Sequence, residues 1–521
     1  MQPWVLSLDV GTTSVKAAAV TLDGALLGTA TSGYATLRPR PNVVEHRPDD
    51  WWAAVERTCT ALFAEPGIDA TALAAVGLSG MAATHVLLNA EMRPLGPAMI
   101  WQDTRATSEA EALNRELGAE LVAESLGRGL PLNASMQAAR MRWLHDRAPE
   151  TLQRTRYVLG SKDYLLFRLT GELATDRTSA SGFCHIGTGE LHPAMAAATG
   201  VGEGLMPPCR DPAEIGGHVH AEASQATGIP VGTPVAVGMI DSWCNILGAA
   251  VTDPGDAWDT AGTAEVVGVA AAPHSELGRT TGMRFLTGVP LSYGVTQCGT
   301  DAFTWYAECF PEHDPNGAVL EGASLFKRLD ELASTAPAGA DALVFLPYLQ
   351  GERSPFSDAR VRSGFHGLHR GHTRAHFVRS VLEGVAFSVR HVLEVHEAAG
   401  EVKADRVVVT SGGAKSRLWN QIKADVVGRP FVGLSVTDAG SVGAAILGAV
   451  AIGHFGLRDA VDTMVRVAVT VEPDPRNRQL YDDLYEVYLD LGKVLRGVHY
   501  RLADLQANDE PKTLRRGSQH E

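Results

Sequence analysis

The sequence predicts an α/β protein of two domains, with a third as the alternative, and three observations carry that expectation. First, 521 residues exceed what a single hydrophobic core encloses, while a 45% apolar and 20% charged composition is that of an ordinary globular chain. Second, short β-branched apolar runs are interleaved with amphipathic helical stretches, and several of the strands stop on an acid or a Gly-rich turn. Third, a pattern of strand, acid, Gly-Thr turn and strand at 5–20 returns at 256–270, about half a chain later, which suggests an internal duplication.

Composition also excludes several classes of partner. A formal net charge of −15 argues against nucleic-acid binding, whose electrostatic footprint is basic. The six cysteines show no C-x-x-C spacing, so neither a disulfide framework nor a zinc site is indicated, and a reducing cytoplasm is the expected setting. The N-terminus lacks a basic segment and Asp9 interrupts its apolar run, unlike a signal peptide. The longest small-apolar run, Gly443 to Gly453, falls short of the roughly 20 residues of a membrane span. No membrane partner is expected. The oligomeric state stays open, with a homodimer as the expectation.

Taken in order, Val5 to Val20 reads as two strands joined by Gly11-Thr12-Thr13-Ser14, with Leu22-Asp23-Gly24 as the next turn. Gly11 admits close backbone approach, Thr12, Thr13 and Ser14 offer hydroxyls and N–H groups to phosphate oxygens, Lys16 adds charge, and Asp9 suits a hydrated Mg²⁺. The rival reading is a decorated surface hairpin. Arg38 to Asn42 is expected to turn, and Asp49-Asp50-Trp51 to open a helix whose Trp52, Val55, Cys59 and Leu62 face a core. Ala74 to Met81 reads as a strand entering a Gly loop. Pro97 to Ile100 is another, ending in Trp101-Gln102-Asp103-Thr104-Arg105, a flat apolar face beside directional polar groups that suits a polyhydroxylated small molecule. Asp103 or Thr104 is equally placed to cap a helix over Ser108 to Leu121.

Arg140 to Leu169 is expected to be helical, closing on Gly171, and 174–182 to be a polar loop. The strand from Pro230 to Ile240 delivers Asp241, a candidate general base or metal ligand, before a small helix over Asn245 to Ala250, for which capping is the rival role. Asp256 to Ala270 repeats the hairpin with Gly262-Thr263. Asp405 to Val409 is a buried strand breaking into Gly412-Gly413 ahead of a helix over Arg417 to Val427, a geometry that brings backbone N–H groups to a nucleotide. Tyr481 to Gly492 is amphipathic, and 509–521 is expected to be disordered.

These residues resemble the FGGY carbohydrate kinases, of the sugar kinase, Hsp70 and actin superfamily, over about residues 4 to 495. Ser363-Gly-Phe365-His-Gly367-Leu368, seven further residues, and His376-Phe377-Val-Arg-Ser380-Val381-Leu382-Glu383 fit the family's C-terminal signature. Supporting matches are Asp9 to Thr13, Trp101 to Arg105, Lys162-Asp-Tyr164, Asp259 to Thr263, Leu346 to Pro355 and Gly412-Gly-Ala414-Lys415. The resemblance implies two actin-like, ribonuclease H-like domains with mixed, helix-flanked sheets around a central cleft. Residues 1–248 would form the sugar-binding side, 249–500 the nucleotide-binding side, and 501–521 a tail. It further implies ATP and Mg²⁺ as cofactors, Asp241 as proton acceptor, and Asp9 important for activity beside the metal. The nucleotide would contact Gly11, Thr12, Thr13, Lys16, Gly262, Thr263, Gly412, Gly413 and Ala414. Substrate would contact Met81, Ala82, Trp101, Gln102, Asp103 and Asp241.

Two departures fall around the sugar. Where the xylulose-kinase branch has a Met-His pair, this loop reads Met81-Ala82-Ala83-Thr84-His85, with His85 expected to pack in or near a strand; Arg140 stands where the N-terminal signature has Lys. The expected activity is ATP-dependent phosphorylation of a small sugar or polyol, a pentulose such as D-xylulose first, with gluconate, glycerol or another polyol as the alternative. A chaperone-like ATPase would need a peptide-binding β domain and a lid, for which the chain leaves no room. A non-catalytic nucleotide binder would be expected to have lost Asp9, Asp241 or a Gly-Thr turn, and all are present.

Overall fold

A computed structural model of the chain describes residues 2–126, 131–184, 189–202, 204–271, 288–313 and 316–508. These group into two compact units, one of Met1–Asp256, Ala270–Ser292 and Leu434–Ala468, the other of Ala257–Val269, Tyr293–Gly433 and Val469–Glu521.

The opening hairpin forms as expected. β1 (Trp4–Val10) and β2 (Ser14–Thr21) pair antiparallel from Trp4 opposite Thr21 to Val10 opposite Val15, and β3 (Leu26–Gly33) extends the ladder. β4 (Leu37–Arg40) and β5 (Val43–His46) correct the turn expected over Arg38–Asn42: the chain stays extended to Arg40, pairs with Val43, and reverses only at Pro41-Asn42, where Asn42 adopts φ 67°. α1 (Pro48–Phe63) buries Trp52, Val55, Cys59 and Leu62. β6 (Leu73–Gly80) runs parallel to β1. After β7 (Val86–Leu88) and β8 (Ala98–Met99), α2 (Thr107–Leu126) breaks its helical geometry at Gly118, φ 77°.

The continuous helix expected from Arg140 to Leu169 is instead α3 (Gln137–Arg147), α4 (Pro149–Arg154), β9 (Tyr157–Leu159) and α5 (Ser161–Thr170). Pro149 starts a new helix because it lacks an N–H to continue the old one, and β9 is drawn into pairing with β7. α6 (Pro193–Thr199), β10 (Ile215–His218), α7 (Ala221–Thr227), β11 (Pro234–Ala236) and β12 (Met239–Ile240) lead into α8 (Asp241–Gly248), four residues earlier than the helix read from the sequence. The sheet order is β10-β11-β6-β1-β2-β3, with β12 also on β6.

The second unit contains β13 (Ala257–Ala261), β14 (Glu265–Ala270), β15 (Leu291–Val295), α9 (Thr300–Cys309), α10 (Gly322–Ser334), β16 (Val344–Leu346), β17 (Gly364–His366), α11 (Arg374–Gly400), β18 (Val407–Thr410), α12 (Arg417–Val427) and β19 (Phe431–Leu434). α13 (Ala439–Ala451) and α14 (Leu457–Met464) then pack in the first unit, although the sequence division places them with 249–500. β20 (Val467–Val471), α15 (Arg478–Val494) and α16 (Arg496–Asn508) follow. The tail read as starting at 501 is therefore helical to Asn508, and the disorder expected over 509–521 lies outside the described residues. No helix among the described residues is long and apolar enough to cross a membrane.

The second sheet runs β15-β14-β13-β18-β19-β20. Its central strand is antiparallel to the next strand in sequence and parallel to a later one, as β1 is to β2 and β6. The hairpin repeat is thus a repeat of topology. The acids are not equivalent, because Asp9 stands two residues before Gly11 and Asp259 three before Gly262. With a side-chain period of two they face opposite sides of their sheets. Asp259 is fully buried against Lys423 Nζ at 2.6 Å, which also lies 3.3 Å from Glu265.

Candidate active site

In the first unit, parallel pairing of β1, β6 and β12 sets the ends of three strands side by side: Asp9 opposite Ser79, and Met239 and Ile240 opposite Ser79 and Gly80. Asp9 projects from the end of β1, and Asp241 begins α8 directly after β12. Ser79 Oγ donates to Asp9 Oδ1 at 2.7 Å. Burial raises the Asp9 carboxyl above its ordinary range, with the Ser79 hydroxyl and Lys16 pulling the other way. Asp241 is pushed up to about 7, by burial first and the negative charge of Asp9 second; the backbone N–H groups of Ser242 and Ala82 partly offset this. Two neighbouring strand-end carboxylates, one of them raised by the charge of the other, form a site for a proton or a cation.

The Gly11–Ser14 turn is held by its own backbone, Gly11 N donating to Ser14 O at 3.0 Å. Tyr34 braces it, its hydroxyl donating to Gly11 O with Ser14 O 3.3 Å away, and its N–H donating to Thr13 O at 3.2 Å. Thr12 Oγ1 accepts from the exposed Trp101 Nε1 at 2.9 Å, so the turn and the Trp101 cluster are neighbours. Lys16 is ion-paired with Asp438 at 2.8 Å, and Ser441 also donates to that carboxylate.

Asp103 is fully buried and satisfied within the protein, accepting from Val44 N at 2.8 Å, Arg105 Nε at 2.9 Å and the Arg105 backbone N–H. It fixes the loop that presents Trp101 and Gln102. Gln102 accepts from Arg38 at 2.9 Å. Met81 is buried with its N–H on Val10 O, and Ala82 follows at the strand end, its N–H facing Asp241. His85 packs as expected, its Nδ1 2.8 Å from the buried Arg140. That guanidinium also donates to the carbonyls of Ala83, Met99 and Ile100, which ties the loop ends together.

In the second unit Gly262 and Thr263 sit at the β13–β14 turn. Thr300 N donates to Gly262 O at 2.8 Å and Gly299 N to Thr263 O at 2.7 Å, so the start of α9 is fastened to the turn. Gly412 and Gly413 follow β18 in the turn before α12, and a cavity of about 460 Å³ opens beside them, lined by Phe303, Phe326, Lys327, Asp330, Lys415 and Trp419 among others. Phe303 and Phe326 stack at 5.8 Å and 13°. Ala414 follows in a half-buried turn, its carbonyl accepting from Asn420 at 2.8 Å.

The two glycines differ. A Cβ on Gly413 would lie 2.6 Å from Ala261 Cβ, so the protein's own packing requires glycine there. A Cβ on Gly412 would meet no protein atom within 4 Å, so its bareness leaves room on the cavity side. A nucleotide fits this cradle, with a flat base in the apolar slot and phosphates along Gly-rich backbone. A hard divalent cation fits the acid pair, since Ser79 occupies Oδ1 of Asp9 and Oδ2 has no hydrogen-bond partner among the described residues.

Residues 4–248 match the model of the FGGY family of carbohydrate kinases, N-terminal domain, and residues 259–452 that of its C-terminal domain. The chain belongs to the FGGY family of carbohydrate kinases. Among its FGGY relatives, a Bacillus subtilis xylulose kinase is 26% identical over 94% of this chain and 96% of its own. A gluconokinase from the same organism is 24% identical over 97% of this chain and 99% of its own. The crystal structure of xylulose kinase from Rhodospirillum rubrum superposes with a TM-score of 0.80 at 30% identity, covering 95% of this chain and all of that one. Ser79, Tyr34 and Asp438 escaped sequence reading, as did the cavity wall of Phe303 and Phe326; each depends on contacts remote in sequence.

Proposed function

We propose that this FGGY kinase transfers the γ-phosphoryl group of ATP to a hydroxyl of a linear sugar, a pentulose such as D-xylulose being the leading substrate. The observation that carries the reading is the placement of Asp241 beside Asp9, with a proton affinity close to neutrality. A base of that strength holds a sugar hydroxyl by hydrogen bond and accepts its proton as the new P–O bond forms. Trp101 and Gln102 orient the sugar, Asp103 acts on that loop through Arg105, and Met81 and Ala82 line it. The backbone of Gly11, Thr12 and Thr13, braced by Tyr34, receives phosphate oxygens. Gly262, Thr263, Gly412, Gly413 and Ala414 receive the nucleotide. Lys16 acts by fixing Asp438 near the turn. Mg²⁺, when bound at Asp9, supplies charge neutralisation on the phosphates. The six free thiols support a cytoplasmic setting.

Two observations favour a second reading, an aldonate such as gluconate. Ala82 supplies no imidazole to a ketose, and the exposed Arg38, beside Gln102, has no carboxylate partner among the described residues. A coupled ADP-release assay over ketoses, polyols and aldonates decides between them. A pentulose with the highest kcat/KM supports the first reading, and an aldonate at the top replaces it with the second. No acceptor-dependent ADP release across the panel overturns both.

A further inference from the structure

Outside the elements assigned to catalysis, the second unit gathers metal-ligating side chains on a strained turn. Gly339, Ala340, Asp341 and Ala342 take φ of 78°, 47°, 52° and 62° in succession. Three consecutive L residues in the left-handed region are disfavoured, because each Cβ crowds the following carbonyl, and such strain persists where surrounding structure enforces it. Here it delivers both oxygen types of Asp341 to two imidazoles. His369 Nε2 lies 3.1 Å from Asp341 Oδ2, and His372 Nε2 lies 3.1 Å from the Asp341 carbonyl. The rings of His369 and His372 are 3.9 Å apart, and one ligand atom from each of the three residues falls within 4.8 Å of the others. Both histidines lie in the seven-residue spacer between the halves of the C-terminal signature.

We propose that Asp341, His369 and His372 form a binding site for a borderline divalent transition metal ion of the Zn²⁺ class. Two neutral imidazoles and one carboxylate are the donor set that such ions select, and the exposed carboxylate side leaves the remaining position to water. Binding has a defined proton balance. Each ring now carries its proton on Nε2, because its Nδ1 accepts a backbone N–H, Gly371 N for His369 and His369 N for His372, both at 3.0 Å. Metal on Nε2 moves that proton to Nδ1, with no net proton release, and the two N–H groups of this exposed turn pass to water. His376 stays out of the set because its Nδ1 caps α11 through Thr373. The bound ion would clamp the strained turn to the segment entering α11.

The untagged, chelator-stripped full chain is titrated with Zn²⁺ by calorimetry and with Co²⁺ by its visible absorption, in saturating Mg²⁺ so that the hard carboxylate site is filled. One equivalent of saturable binding is expected. His369→Gln and His372→Gln should each weaken it by at least the roughly 10- to 100-fold that loss of an outer-shell partner costs. A Zn²⁺-dependent rise in Tm should accompany binding in the parent and vanish in the double variant, whose metal-free Tm verifies that it folds. Absence of saturable binding in the parent overturns the proposal. So does binding that persists in the folded double variant, or a misfolded double variant alongside single variants of undiminished affinity.

Discussion

A carboxyl at the first position of a helix is ordinarily favoured as the anion by the helix N-terminus, yet Asp241 is held at about 7 because burial and Asp9 outweigh that field. Asp241→Asn keeps the size and removes the base. Its kcat should fall roughly 10²- to 10⁴-fold while ATP affinity changes little. The same variant separates catalysis from capping through stability. The folded chain binds this proton more tightly than the unfolded chain, so wild-type stability is lost as pH rises from the ordinary value of 3.8 through about 7. Asn carries no such penalty. The variant should therefore gain in Tm relative to the wild type as pH rises from about 3.8 to about 7, with the difference levelling off above that, and a loss of about 0.5–2 kcal/mol at every pH would mark Asp241 as only a cap. In the parent, kcat/KM should climb with pH along an acid limb centred near 7, and a profile without that limb would remove Asp241 as the base. The strand-end positions of Asp9 and Asp241 were legible because an acid at a strand end beside a turn is a local pattern. Their supports were not: Ser79 lies 70 residues from Asp9, and Asp438 lies 422 from Lys16.

At the scale of elements, glycine substitutions separate ligand space from packing. Gly412→Ala should leave Tm unchanged and weaken nucleotide binding by roughly 1–3 kcal/mol, the usual effect of an added methyl in filled space. Gly413→Ala should lower stability by about the same amount. Equal behaviour of the two in thermal melts and ATP titrations would contradict the cradle. α13 packs directly on bare backbone in the first unit: a Cβ on Gly248 of α8 would lie 1.9 Å from Ala439 O, and one on Gly77 of β6 1.8 Å from Ala444 O. Gly248→Ala should thus cost at least about 1–3 kcal/mol and, by shifting the helix that begins with Asp241, lower kcat. A variant with parental Tm and kcat would show that α8 is free to move. The β18-turn-α12 passage was readable because a β-branched run, two glycines and a Ser416 cap punctuate it. The break between α3 and α5 was hidden, since β9 is only three residues long and the helical pattern continues on either side.

At the scale of the molecule, the duplicated topology places a Gly-Thr turn at the heart of each sheet, while the one-residue offset of Asp259 directs its charge to Lys423. Asp259 is thus committed to an ion pair while Asp9 is not, so on the proposed mechanism a single cation site should serve the reaction. Excess chelator should abolish phosphoryl transfer and Mg²⁺ should restore it; full turnover in chelator would exclude that role for Asp9. The repeat was visible in sequence because both hairpins keep their turn residues, but the destination of α13 was not. Read alone, Gly443 to Gly453 is a run of small apolar residues, and only its fit against bare backbone at Gly77 and Gly248 explains it. That fit also sets a timetable for biosynthesis. On the ribosome, β1 and β6 emerge early, but the helix that covers them arrives only after the strands from β13 to β19 have been made. Until α13 is made, the nascent first unit has an apolar sheet face uncovered, and a fragment ending at Asp256 would inherit the same exposure permanently.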